Sequence, residues 1–171
     1  MIYVWDMISL MFLIYIVVPW ILLLLYPNKE VFWFAIGSLG VESVIKLSRI
    51  LPYPLSMQHI VLRPELAKNC SCFNTGGSYK NRIGMPSGHV MMSTYILYGL
   101  YKIFRNNNWI TGKNIHYYIF LCILLVFLMA ISRIKRHCHN VWQVVVGCVL
   151  GIIFVEVWFY VFNVLFKKEQ N

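Results

Sequence analysis

Five long apolar runs dominate the chain, at about residues 8–26, 31–51, 87–104, 117–132 and 141–166. Each is close to the ~20 residues that a helix needs to cross about 30 Å of hydrocarbon. Short polar turns separate most of them: Pro27-Asn28-Lys29-Glu30 after the first, and Arg105 to Asn114 after the third. Pro19 offers a kink in the first run, and Pro52-Tyr53-Pro54 ends the second, because proline lacks a donor and disfavours helix before it. The fourth run is short unless Asn114 and His116 join its first turn. Gly37 and Gly40 in the second run, and Gly147 and Gly151 in the fifth, suit close helix contacts, and Lys167-Lys168 closes the fifth.

The exception to short turns is the connection from Leu55 to Met85, which holds Arg63-Pro64, Asn69 to Cys72 and a Gly76-Gly77 turn. Loops of this length are usually functional or disordered. Within it, Ser56 to Leu62 predicts a short interfacial helix. If all five runs cross, the end of the second, the start of the third, the end of the fourth and the start of the fifth share one membrane face. The loops 52–86 and 133–140 then meet there.

Composition agrees with this reading. The 171 residues are 60% hydrophobic with a mean hydropathy of +0.67, which predicts one domain, residues 1–171, in an all-α integral membrane protein: a bundle of about five transmembrane helices with its active site at one face. Asp6 is the only charge ahead of the first run, with no basic n-region and no small-residue cleavage site, so that run is expected to stay as a membrane helix. Lys and Arg outnumber Asp and Glu 15 to 6. The cations are scattered among membrane-flanking loops with no basic arm, which argues against nucleic acid and for membrane lipids and a phosphorylated substrate.

Charge inside the apolar runs is costly and marks candidate function. Glu42 and Lys46 stand four apart in the second run and can neutralise each other, or Lys46 can reach a ligand near the helix end. Among the cysteines, Cys70 or Cys72 can bridge to Cys138 if their loops meet in an oxidising compartment, and free thiols are the alternative.

The densest polar stretch is Ser132 to Gln143, with Arg133, Lys135, Arg136, His137 and His139 between two apolar runs. Alone, a basic loop of this kind is a topology signal. On the same face, however, stands Pro86-Ser87-Gly88-His89, where a proline-led helix start offers unpaired N–H groups to an anion. Arginine forks, a lysine and a helix start together suit a tetrahedral oxyanion, and two histidines can serve as nucleophile and acid. Glu65 is the sole acidic residue in these loops, so the chemistry is read as metal-independent and without a cofactor.

Pro86-Ser87-Gly88-His89 followed by Ser132-Arg133, five residues and His139 resembles the second and third motifs of the type 2 phosphatidic acid phosphatases. The resemblance covers about Lys46 to Gly151. It implies that His139 is a nucleophile forming a phosphohistidine and that His89 protonates the leaving group. Ser87, the Gly88 backbone and Arg133 would hold the phosphoryl oxygens. It also implies a lumenal or external active site, and positive-inside counting leans slightly the same way.

Two departures stand out. The first family motif is Lys, six residues, then Arg-Pro; from Lys46 that position falls on Tyr53-Pro54, and Arg63-Pro64 follows ten residues later. Lys46 and Arg63 are taken as phosphate ligands, with Arg49 as the rival; His59 and His137 are read as loop residues. Gln143 stands where most of the family has an aspartate that orients the nucleophile. The branch that cleaves dolichyl diphosphate looks similar here, with glutamine then valine and a corner like Gly84-Met85-Pro86-Ser87, which points to a polyprenyl diphosphate substrate. The expectation is a phosphatase acting on a lipid phosphate or such a diphosphate. A catalytically impaired lipid-phosphate binder and a lipid phosphotransferase are the alternatives.

Overall fold

A computed structural model describes residues 2–67, 70 and 83–166. Cys72, Asn69, the Gly76-Gly77 turn and the Lys167-Lys168 pair therefore lie outside the described residues. The described chain is helical: α1 (Ile2–Leu25), α2 (Lys29–Ser48), a 3-10 turn (Leu55–Met57) running into α3 (Gln58–Val61), α4 (Gly88–Asn106), α5 (Lys113–Lys135) and α6 (Val141–Phe166).

The element ends follow local chemistry. Asn28 caps α2, its side chain accepting from the Val31 N–H at 2.8 Å, so the helix starts at Lys29. Arg49 closes its far end three residues before Pro52, earlier than the apolar run suggests. Helix α5 takes Asn114 and His116 into its first turn and reaches Lys135, which gives it the length that its apolar run alone lacks. The interfacial helix expected over 56–62 is the 3-10 turn together with α3.

Helix α4 is the centre of the bundle, packed by α1, α2, α5 and α6. Val90, Met91, Met92, Tyr95 and Ile96 on it are almost wholly buried, with Phe34 and Val41 of α2 and Val155 and Phe159 of α6 around them. Three described helices, α2, α5 and α6, are long and apolar enough to cross a membrane, and α1 adds a shorter apolar stretch, Leu13–Leu25. Helix α4 falls outside this set. Enclosed by its neighbours, it needs less lipid-facing apolar surface than they do.

The far end, away from the loops 52–86 and 133–140, is fastened by polar pairs. Glu30 accepts from the side chains of Asn106 and Asn107 at 2.7 and 3.0 Å, and Glu156 holds Lys102 at 2.5 Å and accepts from Tyr98. Trp33 and Trp158 stack and donate to each other's carbonyls at 2.9 Å.

At the near end α6 presses directly on the start of α4. A Cβ on Gly147 would lie 2.8 Å from the Ser87 carbonyl oxygen and 3.3 Å from the Ser87 nitrogen. Both are backbone atoms that cannot swing away. Gly147→Ala is expected to cost about 1–3 kcal/mol of stability, read as a lower thermal unfolding midpoint in detergent. An unchanged midpoint would contradict this contact.

Candidate active site

The near end gathers the ends of four helices. At the start of α4, Ser87 is the cap residue; it is fully buried, its N–H donates to the Gln143 carbonyl at 2.9 Å, and its hydroxyl has no hydrogen-bond partner among the described residues. A buried hydroxyl without a partner is costly, which marks a place where a ligand oxygen fits. His89 follows in the first turn, 8% exposed, within the electrostatic reach of Arg133 and His139.

The end of α5 supplies Arg133, fully buried, whose Nη2 donates to the Cys70 carbonyl at 2.6 Å. The chain then turns sharply, with His137 in the left-handed region (φ 53°), and the N–H groups of Cys138 and His139 both return to the Arg133 carbonyl. His137 is exposed in this turn; His59, also read as a loop residue, is exposed too but lies in α3. Arg63, just after α3, is 9% exposed and donates from Nη1 to the Cys138 carbonyl at 3.3 Å. Cys70 and Cys138 form a disulfide, while Cys122 and Cys148 are free thiols.

The two first-motif candidates on α2, Lys46 and Arg49, are placed differently. Lys46 points away from this cluster: its side chain is 70% exposed and pairs with Glu42 at 3.7 Å. Ile45 and Arg49 share the opposite, inward face of α2, four residues apart. A Cβ on Gly88 would lie 3.3 Å from Ile45 and 3.4 Å from the Arg49 Nη2. Arg49 thus stands beside the start of α4, and its Nε is buried without a partner among the described residues. Of the two α2 candidates, Arg49 is the one placed beside the start of α4.

His139 is 3% exposed, and its Nδ1 lies 3.0 Å from Gln143 Oε1. The orientation of that amide is fixed by its surroundings. Its Nε2 faces the carbonyls of Ile60, Val61 and Leu62 at 2.9, 3.1 and 2.7 Å, and its oxygen also receives the Asn140 N–H at 3.4 Å. Three acceptors on one side demand the NH2 group there, so Oε1 must face the histidine. Nδ1 of His139 is then the protonated nitrogen, and Nε2 carries the lone pair. Burial pushes the imidazole well below the ordinary histidine range, Arg63 and Arg133 push it further, and the Gln143 contact opposes them in part.

The sequence reading missed Asn140 and took Gly84 only as part of a motif. Asn140 caps α6, accepting from the Gln143 N–H at 2.9 Å, and its side-chain amide donates to Ile60 at 2.9 Å. An asparagine directly before an apolar helix is a cap signature and could have been found. Gly84 donates its N–H to the Val61 carbonyl at 2.8 Å, and a Cβ there would lie 2.7 Å from Gln143 Oε1. That requirement depends on a tertiary contact no local pattern reveals.

In a comparison with known families, the model of the PAP2 superfamily matches residues 33–167. The chain belongs to the PAP2 superfamily. No curated protein and no solved structure matches it. The matched range runs from within α2 through α6, so every candidate site residue falls inside the PAP2 region. PAP2 membership and three apolar helices make this an integral membrane protein of the phosphatase-type hydrolases.

Proposed function

We propose that the protein removes the terminal phosphate from a membrane lipid, foremost a polyprenyl diphosphate, through a phosphohistidine at His139 and without a metal. The observation that carries this reading is the Gln143 amide, oriented by three carbonyls so that the lone pair of His139 sits on Nε2. Nε2 attacks the terminal phosphorus, the bond to the bridging oxygen breaks, and His89 gives its proton to that oxygen. Water then attacks the phosphohistidine, His89 takes back a proton, and the N–P bond breaks to release inorganic phosphate. Phosphoryl transfer is chiefly positioning and charge stabilisation. Ser87, the Gly88 backbone, Arg133, Arg63 and Arg49 supply both.

Arg49 and Lys46 separate by mutation. Arg49→Ala is expected to lower kcat/KM by about 10–100-fold, the worth of one charge-assisted hydrogen bond in a buried site. Lys46→Ala, removing an exposed pair, should stay within about twofold. Phosphate release from the two purified variants checks both; the reverse order would return the role to Lys46.

The diphosphate preference rests on two features that are physically one. Gln143 has room beside His139 only because residue 84 lacks a Cβ. The Gly84-Met85-Pro86-Ser87 corner and Gln143 are therefore coupled in this chain, and both resemble the dolichyl diphosphate branch in sequence. The disulfide on the active face supports a lumenal or external site, since such bonds persist on the oxidising side of a membrane. Phosphate release across phosphatidate, lysophosphatidate, sphingosine phosphate and polyprenyl diphosphates tests the proposal. Fastest release from the polyprenyl diphosphate is expected. Binding without release would point to the non-catalytic binder, and transfer to an added alcohol to the phosphotransferase.

A further inference from the structure

The Cys70–Cys138 disulfide joins the two active-face loops across 68 positions of sequence, and each half supports one arginine of the site. The Cys138 carbonyl accepts from Arg63 Nη1, and the Cys70 carbonyl accepts from Arg133 Nη2. Cys138 also directly precedes His139, and both N–H groups return to the Arg133 carbonyl at 3.0 and 3.3 Å. With Ala67 the two cysteines form a small buried cluster apart from the main core, 3% and 0% exposed. The free thiols Cys122 and Cys148 lie elsewhere, in α5 and α6.

A guanidinium anchored on a fixed carbonyl has its plane set, which a bidentate phosphate contact requires. Resting on the phosphatase reading, we propose that the Cys70–Cys138 disulfide is a positioning element of the phosphate site, holding Arg63 and Arg133 in register so that the oxidised enzyme binds its phosphoryl group and the reduced one does so poorly. A dithiol reductant opens the bond by passing it two electrons and two protons; the reductant becomes a disulfide and Cys70 and Cys138 become thiols. The two loops are then no longer joined at this point, and the carbonyls under the arginines move independently. The site is matched to an oxidising compartment by its own construction.

The test uses the full-length protein in detergent. Peptide mapping without reductant should recover the Cys70–Cys138 linkage. Vanadate, a phosphate analogue, is then titrated, and release from a polyprenyl diphosphate measured, before reduction with dithiothreitol, after it and after reoxidation. Reduction is expected to weaken vanadate binding and raise KM by about tenfold or more, with a smaller change in kcat, consistent with misplaced ligands. Reoxidation should restore both, and helix content by circular dichroism should stay constant throughout. Cys70→Ser/Cys138→Ser should behave as the reduced enzyme in either condition, whereas Cys122→Ser/Cys148→Ser should keep the full response. Unchanged vanadate affinity in protein whose bond is shown to be open overturns the proposal, as does mapping that finds Cys138 unlinked. Redox-sensitive vanadate binding without any turnover would keep the positioning role and sink the phosphatase reading; turnover indifferent to reduction would do the opposite.

Discussion

His139→Ala is expected to abolish phosphate release, lowering kcat by about 10⁴-fold or more, as loss of a covalent nucleophile does. The protein should still insert and fold, because the substitution leaves Gln143 bound to Ile60, Val61, Leu62 and Asn140. The wild-type pH profile adds a check. Burial and two arginines lower the pKa of His139, so its neutral, nucleophilic form persists as pH falls below the usual ~6.5 of histidine. The acid limb of kcat/KM due to this group should therefore lie below that value. An acid limb above it, or activity retained in purified His139→Ala protein, would contradict the assignment.

Gln143→Glu is expected to do more harm than its near-identical shape suggests. The carboxylate could still accept from His139 Nδ1, but its other oxygen would face the three carbonyls of Ile60, Val61 and Leu62 with no hydrogen to offer. Burying a charge against such acceptors costs about 3 kcal/mol or more. The new carboxyl would be held protonated, with a raised folded-state pKa. Its contribution to stability is thus full below the ordinary Glu range near pH 4.3 and is lost as pH rises through the folded value. Thermal unfolding of the variant should show a deficit against wild type that grows from acid to neutral pH, accompanied by a fall of about 10–100-fold in phosphate release. A flat difference across pH, or wild-type activity, would show that the three carbonyls do not set the residue at 143.

This environment gives the departure from aspartate a physical cause. An aspartate would bring charge but no donor to the carbonyls of Ile60, Val61 and Leu62 at the end of α3. Glutamine serves both neighbours, orienting His139 with its oxygen and fastening the loop before Arg63 with its nitrogen. The sequence showed a missing charge and a hint to the substrate; the second role depends on α3 lying against α6, which no local pattern encodes.

The rest of the site was legible where the chemistry is local in sequence. Pro86 to His89 and Arg133 to His139 each carry their own turn and cap signals, and counting passes put them on one face. Arg49 and Lys46 were harder. Three residues apart on the last turn of α2, they point in different directions, and only the packing of Ile45 against Gly88 decides which one faces inward. The apolar runs located α4 correctly but hid its place in the bundle: it is an enclosed central helix, less apolar than its neighbours because they stand between it and the lipid.

The most direct measurement is a rapid-quench reaction of the purified protein with a polyprenyl diphosphate, followed by peptide mapping under alkaline conditions that preserve phosphohistidine. The expected result is an acid-labile phosphoryl group on the peptide containing His139, appearing before inorganic phosphate and absent from His139→Ala. Phosphate release at full rate with no label on His139 at any time, or with the label on Ser87, would contradict the mechanism.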